Sequence, residues 1–189
     1  IVKITSRDPS PPPVEYIKSS GGLFLDMTIH DFDMARFIVD KEIDEIYVKG
    51  EALIDQEIQK VGDIDTAVVL MKYVDSTIAV IDNSRKSAYG YDQRIEVFGS
   101  KGMIQANNVK VDNSKLYNQN GIISSLPMDF FLERYMEAYK IEIQDFVDSV
   151  INNRGVSVTG IDGLKSLQIG LAAKKSLLEN RPVKIIEIK

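Results

Sequence analysis

Between residues 45 and 106 apolar and polar side chains alternate with a period of two, in runs at 45–53, 63–73, 77–83, 93–99 and 103–106. Such alternation is the mark of strands with one face buried and one face wet. Val74-Asp75-Ser76 and Gly99-Ser100-Lys101-Gly102 fall between runs where a hairpin must reverse the chain, so these strands are read as successive and antiparallel. Residues 1–6 add a strand rich in β-branched residues that stops at Ser6-Arg7-Asp8-Pro9, and 107–125 continues in short strands with Asn and Gly turns. The period changes to helical at 21–37 and 130–152. It is helical again at 163–179, where Leu164, Leu167, Leu171 and Leu178 form one stripe behind a Thr159–Asp162 capping box. Pro9-Ser10-Pro11-Pro12-Pro13 is too stiff for either element and reads as an extended connection, and 182–188 reads as a closing strand. A sheet with one apolar face needs a cover, and the helices supply it. The expected fold is α+β, an open and predominantly antiparallel sheet with helices packed on one face, forming one domain over residues 1–189.

Composition narrows the function without naming it. The chain has 189 residues, 44% of them hydrophobic and 27% charged, which suits an ordinary globular domain. Its net charge is −5 and its Lys and Arg residues form no run, so neither nucleic acid nor an anionic membrane is an expected partner. With no cysteine, thiolate metal sites and cysteine nucleophiles are excluded, and the chain fits a reducing, cytoplasmic setting. No apolar run is long enough to span a bilayer.

The stretch Gly21 to Phe37 holds the only histidine. Taken as one helix, it places Asp26, His30 and Asp33 on a shared stripe, because i, i+4 and i+7 return to one face. Leu25, Ile29, Phe32, Ala35 and Val39 gather opposite, so the helix reads as largely buried. A carboxylate one turn from an imidazole fixes the ring's tautomer and tunes a base that already titrates near neutrality. That suits proton transfer. A satisfied core histidine flanked by a cap and a surface charge is the plainer alternative. Gly21-Gly22, just upstream, offers backbone that a ligand can approach closely.

Other chemistries lack their parts. No glycines are spaced as G-x-G-x-x-G, no phosphate-cradling loop is followed by Lys-Ser/Thr, and there is no G-x-S-x-G elbow. A metal-dependent hydrolase using Asp26, His30 and Asp33 is the remaining rival. Along one helix Asp26 and Asp33 lie about 10 Å apart, which converges poorly on one ion, so no metal site is assigned.

The order of Thr5-Ser6-Arg7-Asp8-Pro9, the Gly21–Phe37 block with Asp26 and His30-Asp31-Phe32-Asp33, Asp82-Asn83-Ser84-Arg85, Tyr89-Gly90-Tyr91-Asp92-Gln93-Arg94 and Phe98 to Gly102 resembles the glucose-fructose oxidoreductase and inositol dehydrogenase family, most closely its inositol 2-dehydrogenase branch. The resemblance implies the catalytic, C-terminal half of a two-domain enzyme. The Rossmann half, with its NAD fingerprint and the lysine of a Glu-Lys-Pro segment, would then lie outside these residues, and the fragment alone would be inactive. It implies oxidation of a cyclitol hydroxyl, myo-inositol to the 2-keto product, or of a related sugar. By the same resemblance His30 is the general base and Asp26 holds and positions the substrate hydroxyls, while Asp33, Tyr89, Tyr91 and Asp8 are substrate contacts. NAD would be bound mainly by the other half. Tyr89 and Tyr91, at i and i+2, are read as sharing one strand face. Arg85 and Arg134 stay open between cleft and surface. A polyol offers only hydroxyls, so carboxylate acceptors and a near-neutral base are the groups its oxidation requires. Self-association as a dimer or tetramer through the sheet is also expected, and a non-catalytic polyol-binding or assembly domain is the alternative.

Overall fold

The structure is a computed structural model and describes residues 1–188. Its centre is a seven-stranded sheet in the order β6-β5-β1-β4-β3-β2-β9, built from β1 (Val2–Arg7), β2 (Ile43–Glu51), β3 (Thr66–Tyr73), β4 (Ile78–Ser84), β5 (Asp92–Gly99), β6 (Gly102–Ala106) and β9 (Val183–Lys184). All pairings are antiparallel except one. β1 inserts between β4 and β5 and runs parallel to β4. The first strand of the chain therefore closes a gap that local alternation cannot reveal, because parallel partners come from distant sequence. β7 (Lys115–Asn118) and β8 (Gly121–Ser124) form a separate hairpin.

Parity explains the core. Val2 and Ile4 of β1, Val69, Met71 and Tyr73 of β3, and Ala79 and Ile81 of β4 point to one face and are fully buried. Phe24, Phe32, Ala35, Ile169, Ala172 and Ala173 complete that layer from the helices α2 (Leu23–Asp26), α3 (Thr28–Val39) and α6 (Gly160–Glu179). Gly170 lets α6 approach closely: a Cβ there would stand 2.6 Å from Leu25 Cδ2. The opposite face is not covered by α2, α3 or α6 and leaves Val68, Leu70 and Ile78 about half exposed. The α+β reading holds, with helices on one face.

The sequence reading needs four corrections. Residues 21–37 are not one helix. After α1 (Val14–Ser20), the chain breaks at Gly21-Gly22, forms the single turn of α2, and breaks again at Met27 (φ −107°, ψ −61°) before α3 begins. Nor is the stretch buried all round, since His30, Met34 and Phe37 are exposed. A short helix, α4 (Gln56–Lys60), capped by Asp55 accepting from the Glu57 N–H at 2.9 Å, stands where the period-two reading left a gap. The closing strand shrinks to the two residues of β9, because Ile185–Glu187 turn into a 3-10 helix. The expected capping box is present at Thr159, whose N–H donates to Asp162 Oδ2 at 2.8 Å. α5 (Phe131–Ile151) forms as expected, but along it only Ser149 is buried.

Candidate functional site

The inward rows of β1 and β4 are apolar at one end and polar at the other. Val2 and Ile4 lead to Ser6, Ala79 and Ile81 lead to Asn83, and Ser6 pairs directly with Asn83. Strand parity thus drives polar groups under α3, where each must find a partner. Asn83 meets that demand three ways: Nδ2 donates to Asp31 Oδ2 at 2.8 Å and to the Ser6 carbonyl at 3.3 Å, and Oδ1 accepts from the Thr28 hydroxyl at 2.8 Å. Gln93 Nε2 donates to Ser6 Oγ at 2.8 Å. Burial pushes the Asp31 carboxyl up to about 7, hydrogen bonds from Asn83 and Ser6 oppose that, and the charge of Asp8 adds to it.

The same parity carries one step beyond β4 to Arg85, whose side chain is 1% exposed. Its Nη1 donates to Asp26 Oδ2 at 3.1 Å, and the other oxygen of Asp26 accepts from the Tyr16 hydroxyl at 2.7 Å. Asp26 is therefore held through both oxygens at the end of α2. Asp8, where the chain leaves β1, anchors its N–H on the Ser84 carbonyl at 3.0 Å. Burial raises its carboxyl to about 6; Arg85 pulls it down and Asp26 pushes it further up. Tyr91 sits edge-to-face on Tyr135 with centroids 6.0 Å apart. Its hydroxyl is pushed up first by burial, then by Tyr135, Asp8 and Asp31. Asp8, Asp26 and Asp31 are thus each tied to the end of β4, through Ser84, Arg85 and Asn83 in turn. His30 lies one turn past Asp26, across the Met27 break, with an exposed ring that makes no hydrogen bond among the described residues.

Two expected contacts lie elsewhere. Asp33 accepts from Ser166 Oγ at 3.1 Å and lies 3.7 Å from Arg36 Nη1, so it serves the α3–α6 seam rather than a stripe shared with Asp26. Tyr89 and Tyr91 do not share a strand face, because both precede β5 in a turn. Gly90 between them adopts φ +112°, so the backbone is not extended there, and a Cβ would stand 3.0 Å from the Pro127 carbonyl oxygen; Tyr91 packs on Tyr135 while Tyr89 bonds elsewhere. Tyr89 joins a network outside the acid cluster, donating to Asp92 Oδ2 at 2.6 Å and accepting from Arg7 Nη1 at 3.1 Å, while Arg7 also pairs with Asp82. Asp92 is buried. Burial acts to raise its carboxyl, but hydrogen bonds from Arg94, Tyr89 and Asn108 prevail and hold it at about 2.

Gly21-Gly22 has a structural use. A Cβ at Gly22 would stand 2.5 Å from Asp63 Oδ1, and Asp63 accepts from the Leu23 N–H at 3.1 and 3.2 Å. A carboxylate already fills the N-terminus of α2, so this chain's residues do not fit a dinucleotide pyrophosphate there. Among the described residues no group of three His, Asp or Glu side chains could hold a metal ion. Concavities lined by Asn108, Lys110 and Asp112, and by Lys49, Glu51 and Asn180, hold none of the acid cluster. No helix among the described residues is long and apolar enough to cross a membrane.

The chain is 52% identical over 188 residues to the myo-inositol 2-dehydrogenase of Thermotoga maritima, covering all of this chain and 56% of that protein. A crystal structure of a probable dehydrogenase from Thermotoga maritima superposes with a TM-score of 0.97 at 52% identity, over 99% of this chain and 57% of the other. The scyllo-inositol dehydrogenase of Lactobacillus casei, crystallised with bound NAD(H) and scyllo-inositol, superposes at 0.89 with 34% identity, over 98% of this chain and 55% of the other. The chain thus spans little more than half the length of these relatives. The GFO/IDH/MocA C-terminal domain family matches residues 1–105, more than half of the chain, and to that family the chain belongs.

Proposed function

We propose that this chain is the substrate-binding and catalytic half of an NAD-dependent cyclitol dehydrogenase that oxidises myo-inositol at one ring hydroxyl. The observation that carries the reading is Asp26, fixed through both oxygens by Tyr16 and Arg85, one turn before an exposed imidazole that makes no hydrogen bond among the described residues. An anchored carboxylate accepts hydrogen bonds from ring hydroxyls and orients the alcohol, and His30 takes the hydroxyl proton as the carbon is oxidised. The nicotinamide supplies the hydride acceptor, held by a nucleotide-binding half of the full-length protein. Asp8 and Tyr91 lie within the field of the same cluster and complete the hydroxyl contacts. Such a protein works in the cytoplasm, where NAD is available. The names and bound ligands of the relatives support the substrate class.

The test is NADH formation from myo-inositol by the full-length protein and its His30→Ala variant. Loss of about 100-fold or more in kcat is expected for a missing general base; equal rates refute the assignment. The uncovered sheet face with Val68, Leu70 and Ile78 supports self-association as a dimer or tetramer, and light scattering showing a strict monomer contradicts that part.

A further inference from the structure

Arg85 is the largest fully buried side chain among the described residues, and the carboxylates of Asp26 and Asp63 stand beside it. Nη1 donates to Asp26 at 3.1 Å, Nη2 lies 4.0 Å from Asp63 Oδ2, and Asp8 and Arg85 each follow directly on the paired residues Arg7 and Ser84 of the parallel strands β1 and β4, where the Asp8 N–H donates to the Ser84 carbonyl at 3.0 Å. Its own N–H donates to the Asp65 carbonyl at 2.8 Å, which ties the end of β4 to the start of β3. Asp63 in turn caps α2, the helix that ends in Asp26. The guanidinium thus references the last turn before His30 to the cap of α2, while the backbone of the same residue ties it to the lead into β3. A purely structural buried arginine spends its donors, yet Nε and Nη2 here are buried without a hydrogen-bond partner. The planar fork is held for its place between Asp26 and Asp8 rather than for a full set of its own bonds.

We propose that Arg85 is a positioning residue for the alcohol oxidation, a single buried cation shared by Asp26 and Asp8 that fixes where the ring hydroxyls dock relative to His30. This rests on the dehydrogenase reading above. Arg85 does not touch the substrate. It acts through the two acids, so its loss misplaces the alcohol without disturbing the nucleotide. The charged and titratable groups facing it are Asp8, Asp26 and Asp63, with Tyr16 behind Asp26. Removing the guanidinium takes away the one charge that pulls Asp8 down, so Asp8 then protonates at higher pH.

Full-length Arg85→Gln, Arg85→Lys and Asp8→Asn proteins, with the Arg85→Gln/Asp8→Asn double variant, are assayed from pH 5 to 9 with myo-inositol and NAD. Melting temperature is read in parallel. Arg85→Gln is expected to lower kcat/KM for the cyclitol about 10- to 100-fold, to leave KM for NAD within about twofold, and to move the acid limb of the profile to higher pH. Arg85→Lys keeps the charge without the fork, so it restores the limb and only part of the rate. In the Asp8→Asn background the limb no longer responds to residue 85. If Arg85→Gln does not fold, Arg85→Lys alone decides, because its predicted separation of limb from rate is not a stability effect. Folded variants with unchanged kcat/KM and limb overturn the proposal, as does a parallel loss in both substrates that tracks melting temperature. A wild-type protein that oxidises no cyclitol overturns the dehydrogenase reading together with this proposal, whereas an active wild type indifferent to residue 85 overturns this proposal alone.

Discussion

The sheet with α2, α3 and α6 differs sharply from the segment between residues 107 and 159. In the first region inward side chains meet counterparts, apolar against apolar and then Ser6 and Asp31 on Asn83, with Arg85 on Asp26 one step further. In the second, β7, β8 and α5 carry comparable apolar residues that meet little: Ile143, Phe146 and Val150 are each more than half exposed. Patterning alone makes a helix in both places. What fixes a helix in the fold is a complementary face, and what makes the first region a site is that its complementary face runs out of apolar residues at one end.

Phe32→Ala removes a fully buried ring and is expected to cost about 3–5 kcal/mol in urea unfolding; a loss below about 1 kcal/mol would mean α3 is not seated on the sheet. Asp26→Asn leaves the Arg85 guanidinium without its ionised partner, at a cost of about 3 kcal/mol, together with reduced cyclitol turnover. Unchanged stability would show that the pair is not formed in solution.

Asp31→Asn sharpens the contrast through pH. Asp31 holds its proton up to about 7 in the fold, well above the ordinary carboxylate range, so its contribution to stability is complete at acid pH and is lost as pH rises through about 7. The variant is expected to have a flatter stability profile between pH 4 and 8, and to be more stable than wild type at pH 8 by about 1–2 kcal/mol. A wild-type profile that rises over that window would contradict the burial of this group. Phe146→Ser on α5 should change unfolding of the 189-residue chain by less than about 0.5 kcal/mol. A cost comparable to that of Phe32→Ala would show α5 packed after all.

Much of this was legible from residue order. The alternating runs gave five of the sheet strands because each half-buried strand writes its own parity, and the Thr159–Asp162 cap is a local signal. The parallel insertion of β1 is not local, and nothing in residues 1–6 names its neighbours. The break at Met27 was hidden because apolar spacing continues through it, which drew Asp33 onto a stripe that the structure gives to Ser166 and Arg36 instead. Gly90 misled in the same way, since i, i+2 spacing implies a shared face only where the backbone is extended. Asn83 could have been found, and Arg85, left open between cleft and surface, could have been decided. Both continue the inward row of Ala79 and Ile81, and a polar residue on an apolar parity must be paired within the core.

The central claim is that Asp26 presents a cyclitol hydroxyl to His30. A crystal structure of the full-length protein with NAD and myo-inositol tests it most directly. The account predicts the reacting hydroxyl within about 2.6–3.2 Å of a His30 ring nitrogen, with neighbouring hydroxyls on Asp26. A bound cyclitol that leaves His30 turned to solvent and Asp26 paired only to Tyr16 and Arg85 would contradict it.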